Sequence, residues 1–291
     1  MEQLLSTLTF ISLYGVSYGV VLFMISVGLV VTMGLMGVVN LAHCAFAAVG
    51  GYVAATLMSD AGLTYWSAVP LSAVVVAVLS LIVERVFYTR LYKASELDQV
   101  LTTVGIAFLV VASLNLFFGP GVVAPRLPPE LTSNIDLGFR RIQGYRLFVI
   151  AVGAVLVLVL WFLLDRTTFG ARLRATVDNR SMAQATGINA DRLFLAAFAL
   201  GSGLAALGGA LGVGVLPLEP MYPFKYLTLA LVVFALAGGG IKASAAVALL
   251  IGIVDTAGRY LFPAFGAFFI YVLLIALLLW RREGLFGRRK A

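Results

Sequence analysis

Few side chains in this sequence can do chemistry, and their spacing narrows which chemistry that is. The single histidine, His43, has no acid close to it in the chain and no second ligand at metal-binding spacing, so neither a catalytic triad nor a zinc site can be drawn around it. Asn40 stands three residues before it, and Gly34, Gly37 and Asn40 together interrupt an apolar run. Transporters use such interruptions to expose helix ends and free backbone groups to a polar solute. Asn40 and His43 are therefore candidate pathway residues. The competing structural reading has Asn40 capping a helix that continues from Ala42 to Ala55, with His43 bonded to a neighbouring helix. Asp255 and Arg259 lie four residues apart in another apolar run, where an intramembrane charge is costly enough to hint at function. They can pair along one helix. A local ion pair, with Arg259 snorkelling at a helix end, is the simpler account; recognition of a zwitterion is the sharper one. Asn115 is a further candidate of this kind. No G-x-x-x-x-G-K-[ST] loop occurs, so the chain has no Walker-type site for ATP.

The elements that position these residues must be membrane helices. Of 291 residues, 62% are hydrophobic and 11% charged, less than half the charge of an average soluble domain at about 25%. The apolar residues fall at 8–32, 38–58, 65–84, 98–118, 147–164, 193–214, 226–241, 243–261 and 264–280. These runs have the length of bilayer-crossing helices and lack the two-residue alternation of barrel strands. The expected fold is an all-α polytopic membrane bundle with eight or nine segments, one of them broken near residues 34–40, forming a single transmembrane domain over residues 1–291. Lys and Arg are absent before Arg85, so a basic signal-peptide n-region is missing and the first run is expected to stay in the protein. The net charge of +7 is spread over short loops and the C-terminus, which indicates membrane orientation rather than nucleic-acid binding.

Positive loops stay in the cytoplasm. Arg85, Arg90 and Lys93, then the arginines of 165–192, then Arg281, Arg282, Arg288, Arg289 and Lys290 fall on one side when the runs are counted alternately. This places the C-terminus in the cytoplasm. The loop at 119–146 falls on the other side although it carries Arg126, Arg140, Arg141 and Arg146, and its Pro-rich start marks a small folded external excursion. Within 165–192, Arg172 to Gly187 mixes alanines and apolar residues with charges, predicting one short amphipathic helix along the membrane that ends at Gly187. Lipid binding and partner docking explain such a helix equally well. Gly201, Ala205 and Gly209, with Ser202, Ala206, Ala210 and Gly214, give one helix a small face suited to close packing. Tyr222, Phe224 and Tyr226 are expected in an interfacial aromatic belt. Cys44, the one cysteine, reads as a small core residue.

Three passages carry a resemblance. The order RATVDNRSMAQATGINADR resembles the cytoplasmic coupling segment of ABC importer permeases; GLMGVVNLAHCAFAAVGGYVA, from Gly34 to Ala54, resembles the signature of LivH-type permeases of branched-chain amino acid importers; RREGLFGRR resembles their usual ending. The resemblance implies a permease in the bacterial cytoplasmic (inner) membrane that moves hydrophobic or branched-chain amino acids, or a related small solute, by alternating access. It implies as partners a second, LivM-type permease, two cytoplasmic ATPases and an external solute-binding protein, besides membrane lipid, with no cofactor, metal or nucleic acid. Matching the coupling motif assigns ATPase docking to Ala175, Asp178, Asn179, Met182, Ala183, Gly187 and Ile188. The competing class is an ion-coupled secondary transporter without ATPases, built on Asp255 and the break at Gly34 to Asn40. An enzyme has no convincing constellation here.

Overall fold

The computed structural model describes residues 2–92, 94–136, 141–238, 240–264, 268–272 and 275–276. Lys93, Arg140, most of the run at 264–280 and the basic C-terminal tail lie outside the described residues. The described helices are α1 (Glu2–Leu29), α2 (His43–Ser59), α3 (Tyr65–Val83), α4 (Thr89–Leu91), α5 (Glu96–Phe118), α6 (Pro129–Thr132), α7 (Gly144–Trp161), α8 (Thr168–Asp178), α9 (Arg180–Ala185), α10 (Ala190–Gly212), α11 (Tyr222–Ala237) and α12 (Ile241–Leu261). Short π-helical turns extend α1 to Leu35, join α3 to α4 through Glu84–Tyr88, and extend α7 to Arg166. Six of the resulting helices are long and apolar enough to cross a membrane, and α2 and α11 are shorter apolar helices. These eight correspond to the first eight apolar runs.

Burial separates core helices from peripheral ones. In α1, 89% of the apolar window is buried within the chain, against 22% in α5 and in α7. The outer helices turn large side chains such as Val78, Phe108, Leu116 and Leu158 outward. A surface of that composition is stable against hydrocarbon and not against water.

Small residues decide how closely the core helices approach. A Cβ on Gly15 would stand 2.6 Å from the Ile253 Cα, and one on Gly19 would stand 2.7 Å from the Ala248 carbonyl, so α1 and α12 pack backbone to backbone and run antiparallel. The predicted small face of α10 makes it the hub of the bundle. Gly208 abuts Met24 of α1, Gly203 abuts Ala77 of α3, and Gly209 is pressed on the Ala47 carbonyl of α2. Gly201 and Gly209 lie level with His43 and Gly51 respectively, so α10 and α2 run parallel. Both directions agree with an alternating count of the apolar runs.

Two expectations change and one is met. Tyr222 and Tyr226 do not form a belt; they are buried and packed on each other at 4.4 Å, because the segment before α11 folds back into the bundle. Arg146 is not a loop charge but lies in the first turn of α7, where Nη1 donates to Ser17 at 2.9 Å and the guanidinium sits 3.8 Å from the Tyr14 ring centroid. The segment at 119–146 is indeed folded: β1 (Asn134–Asp136) pairs antiparallel with β2 (Arg141–Gln143), and the Val123 N–H donates to the Leu218 carbonyl at 2.8 Å.

Candidate functional site

The interrupted run forms a connector between two helices. The chain leaves α1 through the π turn Val30–Leu35, Gly37 takes φ +67°, and α2 begins at His43. A left-handed φ favours glycine, which accounts for Gly37 at the turn. Gly34 and Gly37 are both exposed. Breaking a helix inside a bundle frees C=O groups where one helix ends and N–H groups where the next begins, and these must find partners within the protein. Two come from α5: the Val39 N–H donates to Gln99 Oε1 at 2.8 Å, and the Leu41 N–H donates to Thr103 Oγ1 at 3.2 Å. Gln99 Nε2 in turn donates to the Leu91 carbonyl at 3.1 Å. Gln99 thus ties the connector to the end of α4.

Asn40 and His43 are fully buried in this knot. Asn40 does not cap α2, whose N-cap is Ala42 without a side-chain bond. Instead the Tyr88 hydroxyl donates to Asn40 Oδ1 at 2.6 Å, while Asn40 Nδ2 has no partner. His43 sits against the Ile25 backbone of the neighbouring helix α1, although neither ring nitrogen is aligned for a regular hydrogen bond. Its imidazole fills the space that Gly28 leaves open, since a Cβ there would run into the ring and stand 2.6 Å from the Gly201 carbonyl. Gly201 is midway along α10, and Tyr88 stacks on Phe198 at 4.6 Å one turn away. Measured along α10, the polar knot therefore reaches from the end of the bundle that holds α4 to the helix midpoint at Gly201. Tyr88, Gln99 and Thr103 escaped the sequence reading, although Gln99 and Thr103 share a helix face at four-residue spacing in an apolar run.

The remaining pathway candidates lie elsewhere. Asn115 is exposed on α5 and its Nδ2 donates to the Val111 carbonyl of its own helix at 3.0 Å. Asp255 is buried on α12, with Oδ2 accepting from Arg259 Nε at 2.8 Å. The i,i+4 pair thus forms as the spacing predicts. Neither residue joins the knot around Asn40.

The polar passage after α7 is two helices rather than the single one predicted from Arg172 to Gly187. Asn179 adopts an extended conformation between α8 and α9, and its Oδ1 accepts from the Met182 N–H at 2.9 Å as the N-cap of α9. An Asn side chain competes well for that N–H, so it breaks the longer helix and starts the next. Gly187, at φ +86°, ends α9, with the Ile188 N–H donating to the Ala183 carbonyl at 3.1 Å. Asn189 then caps α10 by accepting from the Arg192 N–H at 3.0 Å.

Both short helices are anchored on one side. Leu173, Thr176 and Ala183 are buried, Arg174 Nη1 donates to the Leu164 carbonyl at 2.5 Å, and Gly170 presses on that same carbonyl. Ala175, Asp178, Asn179, Met182 and Gly187 are exposed, and Ile188 is half-buried. Ala183 is the one member of the proposed docking set that faces inward. Beside this surface, Arg172, Gly187, Ile188 and Arg192 line a groove of about 580 Å³. Arg180 lies over Phe194, which packs on Tyr92, so the platform and the α4 region share one end of the bundle.

Comparison with known proteins agrees with this architecture. The family model described as "Branched-chain amino acid transport system / permease component" matches residues 11–278. A probable branched-chain amino acid transport permease protein LivH of Methanocaldococcus jannaschii is 28% identical, covering 90% of this chain and 85% of the relative. The high-affinity branched-chain amino acid transport system permease protein BraD of Pseudomonas aeruginosa is 26% identical, with 99% and 96% covered. The LivH protein of Escherichia coli K12 is also 26% identical, with 94% of each covered. A family match over nearly the whole chain, on a bundle of apolar helices, makes this a multi-pass protein of the inner membrane. The chain belongs to the family of branched-chain amino acid transport system permease components, the membrane-spanning parts of ABC importers.

Proposed function

We propose that this chain is one transmembrane permease domain, residues 1–291, that translocates a branched-chain or other hydrophobic amino acid by alternating access. A second, LivM-type permease completes the pathway, an external binding protein delivers the solute, and two cytoplasmic ATPases supply the force. The segment 165–192 faces the cytoplasm, as does the C-terminus, and Ala175, Asp178, Asn179, Met182, Gly187 and Ile188 form the docking surface, with Ala183 anchoring it from beneath. One observation carries the reading: a two-helix platform is fixed to the bundle through Leu173, Thr176 and Ala183 while its opposite face is free. A rigidly anchored surface can pass a push from a docked partner to α7 and α10, whose ends it joins.

The relatives' names supply the solute class, and the buried knot of Asn40, His43, Tyr88, Gln99 and Thr103 supports a role where the pathway helices separate. The Asp255–Arg259 pair supports this reading over an ion-coupled secondary transporter, because Arg259 already balances the carboxylate's charge and leaves no net charge for a proton or sodium ion to neutralise. The test replaces Asp178 by Lys and Met182 by Asp in cells carrying the complete transporter. Leucine uptake is expected to fall at least tenfold at unchanged membrane abundance, with loss of copurifying ATPase. Unchanged uptake, or uptake abolished by collapsing the proton gradient and insensitive to ATPase deletion, refutes it.

A further inference from the structure

At the end of the bundle opposite the platform, a cavity of about 590 Å³ opens between α1, α7, α11 and α12. It falls within the range of small-ligand sites, roughly 300–1,000 Å³. Its walls combine aliphatic surface from Leu216 and Leu229 with the rings of Tyr14, Tyr18 and Tyr226. Three cations reach it, and two are already matched. Lys225 pairs with Glu219 at 2.5 Å, and Arg259 pairs with Asp255 at 2.8 Å. Arg146 has no carboxylate partner among the described residues; it is held by Ser17 and the Tyr14 ring, and its Nε is buried without a hydrogen bond.

Asp255 is the informative residue. It lines the cavity at 3% exposure, and Arg259 occupies only Oδ2, so Oδ1 is buried with no donor. Buried acceptors are nearly always satisfied, and a carboxylate oxygen left open beside a cavity calls for a donor from inside it. The cavity wall thus holds a carboxylate with one oxygen unpaired and a guanidinium without a carboxylate partner, beside apolar and aromatic residues.

We infer that this cavity is a binding site, contained within this one chain, for a zwitterion whose primary ammonium donates to Asp255 and whose anionic group faces Arg146. Two sources share that chemistry: a free α-amino acid and the headgroup of an ethanolamine phospholipid. The site is separate from the Asn40 knot and needs neither ATPase nor binding protein. It goes beyond the proposed function, which would stand if this site failed.

The full chain is reconstituted in nanodiscs of phosphatidylcholine and phosphatidylglycerol, without partner subunits. One arm measures radiolabelled leucine by equilibrium binding; the other adds phosphatidylethanolamine and reads retained lipid by native mass spectrometry. At least one probe is expected to bind, with at least a tenfold loss in Asp255→Asn. Because Asp255→Asn also breaks the ion pair with Arg259, Thr256→Trp, which adds bulk at a residue lining the cavity and keeps both members of the pair, is measured alongside and is expected to lose binding equally. Leucine binding identifies a solute site, and retained ethanolamine lipid identifies a lipid site. Failure of both probes to bind wild type, or equal binding by Thr256→Trp and wild type, overturns the inference. Since the coupling substitutions are read by uptake in cells and this site by binding to the isolated chain, each idea can fail without the other.

Discussion

Replacing Tyr88 by Phe deletes one oxygen and tests whether the connector before α2 is held as the geometry indicates. The hydroxyl donates to Asn40 Oδ1 at 2.6 Å, and Asn40 is fully buried with Nδ2 already lacking a partner. Hydrogen bonds between membrane helices average about 0.6 kcal/mol and reach about 1.7, because the unfolded segments find other partners. Leaving a buried acceptor unsatisfied costs about 1–3 kcal/mol. In Tyr88→Phe the carboxamide of Asn40 keeps no partner at either end, so the upper part of the first range applies, roughly 1–1.7 kcal/mol. The ring stays, so its 4.6 Å contact with Phe198 is retained and no cavity term of consequence is added. Reversible unfolding in mixed micelles measures the loss. A double-mutant cycle with Asn40→Leu isolates the pair: removing both polar partners should restore part of the stability, with a coupling energy of about 1 kcal/mol. A Tyr88→Phe variant within about 0.3 kcal/mol of wild type, or strict additivity with Asn40→Leu, would refute the reasoning.

Glycine contacts make a matched pair of tests. Gly28→Ala forces a methyl into the His43 ring and the Gly201 carbonyl, and should destabilise by about 1–3 kcal/mol as overpacking does. Gly105→Ala on α5 meets open space and should be neutral or stabilising by up to about 1 kcal/mol in the same unfolding assay. Asn179→Ala removes the N-cap of α9 and should cost that helix about 0.5–2 kcal/mol, seen as faster hydrogen exchange confined to residues 180–185 together with weaker ATPase copurification. Gln99→Leu strips the acceptor from the Val39 N–H and the donor from the Leu91 carbonyl. It should lower both stability and leucine uptake, whereas Ser113→Ala, at a half-buried position on the same helix whose hydroxyl bonds only its own helix backbone, should change neither.

Much of the architecture is legible in hydropathy. Eight apolar runs become eight helices in the expected order, and the small face of α10 packs as its spacing requires, because length and side-chain volume are properties of a segment alone. The i,i+4 pair of Asp255 and Arg259 is legible for the same reason. The two-helix platform is not: alanines and charges continue a helical pattern through Asn179, and only the capping bond to Met182 shows that the chain prefers to break there. Arg146 and Tyr226 mislead in the other direction, since a cation or an aromatic near the end of an apolar run looks interfacial until another helix covers it.

By itself the sequence determined that this is an all-helical membrane chain, where its helices begin to fail, and which passage stands outside the apolar runs. Each of these follows from transfer free energy and backbone satisfaction summed along one stretch of residues. The tertiary structure alone decided which polar groups of distant segments meet. Asn40 finds Tyr88 across 48 residues, Val39 finds Gln99 across 60, and Arg146 finds Ser17 across 129. It also left Asp255, in the wall of a cavity, with one oxygen that no donor reaches. In a bundle whose surface is as apolar as its surroundings, helix pairing is chosen by shape and by a handful of such polar meetings. Those are relations between distant segments that no local pattern contains.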